Sequence, residues 1–174
     1  MVNEDGLDIP AVLAHVGEHR SLTGFSGGER CTNDELLTLP CEFLIPSATE
    51  NQINSGNAAK LRCRVIVEGA NGPTTANADA ILDEMDIFVV PDILANAGGV
   101  VVSYFEWVQD RMGYFWEERD VNTRLHKIMQ KAFRQVHKRT RGRGRGQNVN
   151  MRTASYMEGI DRVAYFTKMR GLYP

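Results

Sequence analysis

Small side chains and side-chain amides follow three apolar runs of this sequence. Ser47, Ala48 and Thr49 follow the first run, where they would let a planar or sugar group approach closely. Asn71 follows the second run and can both donate and accept toward a ribose, and Asn96 follows the third and can do the same toward a carboxamide. These residue types indicate a ligand-binding rim, and no catalytic role is assigned to them.

The other reactive side chains favour structural roles. Glu68 and Asp92 also stand where strands are expected to end, but carboxylates there often accept from loop N–H groups, so no catalytic role is assigned to them. His15 and His19 are four residues apart, but the pattern offers no third ligand, so a solvated pair on a helix is expected instead of a zinc site. Neither a catalytic residue nor a metal ligand is predicted.

The apolar runs that precede the candidate residues have the length of strands. They are CEFLIPS (41–47), CRVIVEGAN (63–71) and DIFVVPD (86–92), and each is closed by Pro, Gly, Asn or Asp. Continuous apolar strands that alternate with helical segments such as NADAILDEM are typical of a parallel sheet covered on both faces. The predicted fold class is therefore α/β, with the candidate residues at the carboxyl ends of the strands, where such sheets bind ligands.

Helical patterns occupy both ends of the chain. DIPAVLAHVGEHRS predicts a short amphipathic helix with Pro10 at its start and Arg20 near its end. Two further helices, over about 122–139 and 151–169, are expected to follow one another without an intervening strand.

The stretch NAGGVVVSYFEW is ambiguous between helix and strand, because β-branched and aromatic residues favour strands. We predict a helix with Asn96 as its N-cap, since apolar residues from Val101 to Val108 would share one face. Gly98 and Gly99 would then let a ligand lie against the first turn, whose unpaired N–H groups favour oxygen acceptors.

Composition limits the class of protein. The chain has 174 residues, of which 43% are hydrophobic and 24% charged, as expected for one ordinary globular domain with a real core. No window approaches the roughly 18 apolar residues of a membrane span, and the polar, acidic N-terminus is unlike a secretory signal. Three cysteines without CxxC spacing predict reduced thiols, so a cytoplasmic location is expected.

A basic run separates the last two predicted helices. Residues 124–145 contain nine Lys or Arg and no acid, and they end in RGRGRG (141–146). Arginine–glycine repeats can track phosphates, so a nucleic-acid-binding module is one alternative. The apolar residues of LHKIMQKAFRQVHKR recur at helical spacing, which favours the solvated face of a helix followed by a flexible linker, and nucleic-acid binding is not expected.

Three longer motifs carry a family resemblance. EGANGPTTANAD, PDILANAGGVVVSYFEW and NMRTASYMEGIDRVAYFTKMRGLYP resemble the C-terminal part of glutamate dehydrogenases of the Glu/Leu/Phe/Val dehydrogenase group. The similarity extends over nearly the whole chain. It implies that residues 1–120 form the latter part of a Rossmann-type NAD(P)-binding domain. Residues 121–174 would then form C-terminal helices, with a basic Gly/Arg linker at 141–150.

The resemblance also implies roles for the candidate residues. The segment from Ser47 to Thr49 would line the adenosine side of NAD or NADP, Asn71 would meet the nicotinamide ribose, and Asn96 would lie by the nicotinamide ring. Ser103 matches the serine that hydrogen-bonds the side-chain carboxylate of the substrate in glutamate-specific members. A charge-assisted hydrogen bond of this kind discriminates strongly. The implied reaction interconverts glutamate with 2-oxoglutarate and ammonia, in a homo-oligomer.

Parts of that family's machinery are not found in these 174 residues. They contain no GxGxxG phosphate turn and nothing that resembles the N-terminal substrate domain. None of the lysines falls in the expected cleft, so no general base is assigned. This chain by itself is therefore expected to be inactive, and a catalytically silent remnant that binds a nucleotide or a partner chain is a further alternative.

Unpaired surfaces are expected in such a part of a domain. The strand at 41–45 would lie at an apolar sheet edge. The last helix carries an apolar stripe typical of a packing surface: Met151, Ala154, Met157, Ile160 and Ala164. Because water-exposed apolar area is unfavourable, we predict that the chain self-associates through the edge, the helix, or both.

Overall fold

A computed structural model describes residues 1–141 and 148–171 of the chain. Its centre is a sheet of three parallel strands in the order β1-β2-β3. The strands are β1 (Phe43–Leu44), β2 (Val65–Val67) and β3 (Phe88–Val90). Each lies within one of the three predicted apolar runs, and helices flank the sheet, so the predicted α/β class is confirmed.

Among the described residues, helices account for most of the remaining regular structure, together with a 3-10 turn at Ala58–Lys60. In chain order they are α1 (Ile9–His19), α2 (Asn33–Leu37), α3 (Ala76–Glu84), α4 (Asp92–Ala95), α5 (Gly98–Met112), α6 (Glu118–Thr140) and α7 (Met151–Arg170). The ambiguous valine-rich stretch is helical in α5, as predicted. Within the described residues, no helix is both long enough and apolar enough to cross a membrane.

The strands are paired so that their carboxyl ends lie side by side. Phe43 pairs with Val65, and Val65 pairs with Phe88. Backbone hydrogen bonds extend this pairing past the strands, because the N–H groups of Gly69 and Ala70 both donate to the carbonyl of Pro46, at 3.0 and 2.9 Å. The loops that follow the strands are therefore held together at one edge of the sheet.

Two apolar clusters hold the layers together. The first packs α3 against the sheet and includes Ile66 and Leu82, both fully buried. The second joins α4 to the C-terminal helices and contains Leu94, Val136, Met151 and Ala154. Burial of such side chains stabilises by about 25 cal/mol per Å² of apolar area, so the first turn of α7 is anchored to the sheet layer.

Four helices, α1, α2, α3 and α7, begin with a side-chain N-cap, whereas α4, α5 and α6 do not. Thr75 caps α3, and Asn150 caps α7 by accepting from the N–H of Thr153 at 2.9 Å. The prediction that Asn96 caps α5 is wrong, because α5 begins after Ala97, with no side-chain cap. The Asn96 backbone instead ends α4, and its side chain turns toward the loop that follows β2.

The basic run forms part of α6, as its periodicity predicts. Val136 is buried and Ala132 is partly buried against the second cluster, which leaves the opposite face to lysine and arginine. Ile128 and Phe133 depart from the pattern, since both are exposed. The RGRGRG stretch is predicted to be mobile. Residues 142–146 of this stretch lie outside the described part of the chain.

Candidate functional site

The loops that follow the three strands form one continuous edge, which we name the strand-end rim. It consists of residues 47–49 after β1, 69–72 after β2 and 96–99 after β3 and α4. Ser47, Ala48, Thr49 and Asn71 are exposed on it, and Asn96 is half-buried.

Asn71 and Asn96 are in direct contact. Asn96 Nδ2 donates to Asn71 Oδ1 at 2.7 Å and to the carbonyl of Gly69 at 3.3 Å. This pairing uses the donor side of Asn96 and the acceptor side of Asn71. The Asn71 amide nitrogen and the Asn96 amide oxygen are therefore the groups available to a ligand.

Gly69 allows the first two loops of the rim to approach each other. A Cβ atom at this position would overlap Ser47 Oγ and would lie 3.2 Å from Ser47 Cβ. The Ser47 hydroxyl donates to the carbonyl of Ile45 at 3.2 Å, which holds the side chain toward its own strand. Glycine suits this position because the backbone after β2 passes directly beside the Ser47 side chain, which a larger residue would displace.

The two glycines at the start of α5 have different surroundings. A Cβ atom at Gly98 would contact Leu125 of α6 at 3.8 Å, whereas one at Gly99 would meet no atom within 4 Å. Gly98 therefore faces a packed helix and Gly99 faces open space. Of the two glycines, only Gly99 leaves the open space that the expected ligand would need beside the first turn of this helix.

Ser103 lies one helical turn beyond Gly99 on α5 and is exposed. Residues four apart share a helix face, so Ser103 continues the open surface that begins at Gly99. Ser155 on α7 behaves differently, because its buried hydroxyl donates back to the carbonyl of Met151 at 2.8 Å. The structure thus brings Ser103 to the same side of α5 as the third loop of the rim.

A buried ion cluster that sequence reasoning missed lies directly behind the rim. Arg152, in the first turn of α7, donates to both carboxylate oxygens of Glu68, at 2.7 and 3.0 Å. It also donates from Nε to Asp79 Oδ1 at 3.0 Å and lies 3.6 Å from Asp92 Oδ1. A buried carboxylate needs a cation nearby. Glu68, predicted at the end of a buried strand, was therefore the sequence signal that could have indicated this cluster.

The carboxylates of this cluster stabilise the charge of Arg152. Burial by itself lowers the pKa of the Arg152 guanidinium. Hydrogen bonds and negative charge from Glu68, and then from Asp79, outweigh this effect, so the pKa of Arg152 is raised above its ordinary value. Arg152 therefore remains a cation at any pH at which the protein is folded. Among residues 1–141 and 148–171, no three His, Cys, Asp or Glu side chains are placed to hold a metal ion.

The parallel sheet and the loops at its carboxyl edge define a Rossmann-like α/β protein. The sequence model of the glutamate/leucine/phenylalanine/valine dehydrogenases matches residues 1–171. The chain belongs to this dehydrogenase family.

Individual relatives agree with that assignment. The chain is 50% identical over 172 residues to a glutamate dehydrogenase of Thermotoga maritima. The aligned region covers 99% of this chain and 40% of that protein. It is 42% identical to a cryptic catabolic NAD-specific glutamate dehydrogenase of Bacillus subtilis, with 98% of this chain and 39% of that protein covered. The chain thus spans about two fifths of the length of these relatives.

Solved structures show the same architecture. A hetero-hexameric glutamate dehydrogenase of Thermus thermophilus in its leucine-bound form superposes with a TM-score of 0.89 at 29% identity, over 100% of this chain and 40% of that one. A glutamate dehydrogenase of Peptoniphilus asaccharolyticus superposes with a TM-score of 0.80 at 34% identity, over 99% and 38%.

Proposed function

We propose that this chain supplies the nicotinamide-binding part of a glutamate dehydrogenase, which converts L-glutamate to 2-oxoglutarate and ammonia with NAD or NADP. The contact between Asn71 and Asn96 carries the proposal, because it presents one amide donor and one amide acceptor at the carboxyl edge of a parallel sheet. Residues 1–120 would form the cofactor-binding part and residues 121–174 the helices that close against it.

The rim offers groups that suit each part of a dinucleotide. The exposed segment from Ser47 to Thr49 would accommodate the adenosine side, and the Asn71 amide nitrogen would donate to the nicotinamide ribose. The Asn96 amide oxygen would accept from the carboxamide, while Gly99 leaves open space beside the helix. The bound cofactor would supply hydride acceptance, and these residues would orient its ring.

Ser103 would bind the substrate. Its exposed hydroxyl lies one turn from Gly99 and can donate to a carboxylate, the group that distinguishes glutamate from apolar amino acids. None of the rim residues is a general base at neutral pH, so we assign these 174 residues binding and positioning roles only. We also propose a cytoplasmic location, which the three free cysteines support.

The 174-residue chain should bind a reduced nicotinamide cofactor without catalysing turnover. Fluorescence titration with NADH or with NADPH is expected to saturate, while glutamate-dependent reduction of NAD or NADP stays at buffer background. The physical reason is that the rim can bind the cofactor but offers no group to accept the proton of the amine. Turnover by the pure chain would contradict the assignment of roles, and the absence of any binding would contradict the proposed function.

Two glycine substitutions separate stability from cofactor binding. Gly99→Ala and Gly159→Ala both replace a helical glycine whose added Cβ meets no atom within 4 Å, so each should raise the free energy of unfolding by about 0.5–1 kcal/mol. Only Gly99→Ala places a methyl group where the ligand is proposed to lie, and steric overlap of about 1 kcal/mol or more would weaken NADH binding at least about fivefold. Equal affinities of the two variants would argue against a ligand at the start of α5.

We further propose that the chain self-associates. β1 lies at one edge of the described sheet with Phe43 exposed, which supports the expected role of that edge. The predicted stripe of α7 divides into two parts, because Met151 and Ala154 are buried against the chain's own second cluster. Met157 and Ile160, further along the helix, are exposed and remain available to a second copy.

Substitutions on these two surfaces should dissociate the assembly. Met157→Glu on α7 or Phe43→Lys on β1 is expected to raise the monomer fraction in light scattering at a fixed protein concentration, because a charge in an apolar contact is unfavourable. Both side chains are exposed in the single chain, so the stability of the monomer should change by less than about 0.5 kcal/mol. A wild-type chain that stays monomeric at every concentration would rule out self-association.

A further inference from the structure

We propose that Arg152 is a positioning residue, which holds the loop carrying Asn71 in its ligand-binding geometry through Glu68 and Asp92. The proposal rests on the proposed function, since it assigns a cofactor-binding role to the Asn71 loop. It adds a role for the C-terminal helix, whose first turn reaches behind the rim.

The first link joins α7 to the end of β2. Glu68, the residue after β2, has 0% of its surface exposed, so its carboxylate is shielded from solvent. Arg152 Nη2 donates to Glu68 Oε1 at 2.7 Å and Nη1 donates to Oε2 at 3.0 Å. This bidentate geometry holds the carboxylate in a single orientation.

The second link joins Glu68 to the Asn71 loop through Asp92. Glu68 Oε2 accepts from the backbone N–H of Asp92 at 2.8 Å, which places the start of α4. Asp92 Oδ2 then accepts from the backbone N–H of Gly72 at 2.8 Å. Gly72 follows Asn71 directly and has a φ of 55°, a left-handed conformation that glycine adopts readily, so this hydrogen bond holds the turn next to Asn71.

The shape of the guanidinium suits this arrangement. Nε of Arg152 donates to Asp79 at the start of α3, while the two terminal nitrogens donate to Glu68 and Nη1 lies 3.6 Å from Asp92. One planar group thus fixes carboxylates from three segments. A lysine ammonium carries the same charge but is a single point that cannot hold Glu68 bidentately and reach Asp79 as well.

Two variants break the chain of contacts at different links. Arg152→Lys keeps the charge and removes the fork, whereas Asp92→Asn keeps the buried pair of Arg152 and Glu68 and weakens the last link to Gly72. Hydrogen exchange resolved to single amides measures the Gly72 N–H. Exchange at residues 65–67 reports global opening in the same sample.

Both variants are expected to speed exchange at Gly72 about tenfold relative to residues 65–67, since a hydrogen bond to a charged acceptor is weakened. Both should also weaken NADH binding about tenfold. Arg139→Lys is the matched control. Arg139 on α6 contacts two carboxylates of α7, Glu158 and Asp161, and neither belongs to the chain of contacts that leads to Gly72, so this variant should change neither measurement.

The outcomes distinguish the two proposals. Equal acceleration at Gly72 and at residues 65–67, with unchanged NADH affinity, would show that Arg152 is only structural and would overturn the inference. Selective acceleration at Gly72 in a chain that binds no nicotinamide cofactor would support the positioning of the loop and overturn the proposed function.

Discussion

Replacing Arg152 with leucine is expected to lower the free energy of unfolding by about 3–5 kcal/mol, because a buried carboxylate loses its counter-charge. Glu68 is 0% exposed, and both of its carboxylate oxygens accept from Arg152. Asp79 and Asp92 lie beside the same guanidinium, so its removal also leaves like charges facing one another. Urea unfolding followed by circular dichroism measures the change.

Arg139→Leu is the matched control for this prediction. Arg139 also contacts two carboxylates, Glu158 at 3.0 Å and Asp161 at 2.6 Å, but these have 25% and 66% of their side chains exposed, whereas Glu68 has 0%. Water screens such a pair, so the expected loss is about 1 kcal/mol or less. Similar losses for the two arginines would contradict the importance assigned to burial.

A double variant tests the physical reason directly. Replacing Glu68 and Arg152 together with leucine removes the buried charge along with its partner, and much of the lost stability should return. A double variant as unstable as Arg152→Leu alone would show that the loss came from packing of the guanidinium instead of from an unpaired charge.

Replacing Ser103 with alanine in a full-length relative is expected to lower kcat/KM for glutamate by about 10–100-fold, as follows from the proposed function. The change removes a hydrogen bond to a charged carboxylate, which contributes about 1.5–3 kcal/mol. Ser103 is exposed on α5, so the substitution should change folding stability by less than about 0.5 kcal/mol. Steady-state kinetics with varied glutamate, at saturating cofactor, give the ratio.

A second substrate provides the control for Ser103. L-Norvaline has a methyl group where glutamate has its carboxylate, so its kcat/KM should be nearly the same in the wild-type and alanine variants. The KM for the cofactor should also stay unchanged. Equal losses for glutamate and norvaline, or a matching loss of cofactor affinity, would refute the role assigned to Ser103.

Local sequence patterns were sufficient for the strands, for the longer helices and for the position of the rim, but not for the short helices α2 and α4. The three apolar runs are short and closed by turn-forming residues, so each predicts its strand from neighbours a few residues away. The start of α7 was similarly predictable, since Asn150 precedes the helical pattern and caps it. The placement of Asn71 beside Asn96 followed from a general rule, because parallel strands bring their carboxyl ends to one edge.

Tertiary structure alone decided how the side chains of this edge are paired. Asn96 stands where the N-cap of α5 is expected, but it ends the short helix α4 instead. The side-chain amide of Asn96 donates to the loop after β2. Glu68 and Arg152 are separated by 84 residues, and no periodicity relates them. By itself the sequence determined the fold class and the residues of the rim, because these depend on local apolar patterns. The partner of a buried charge depends on which surfaces pack together, and only the folded chain brings those surfaces into contact.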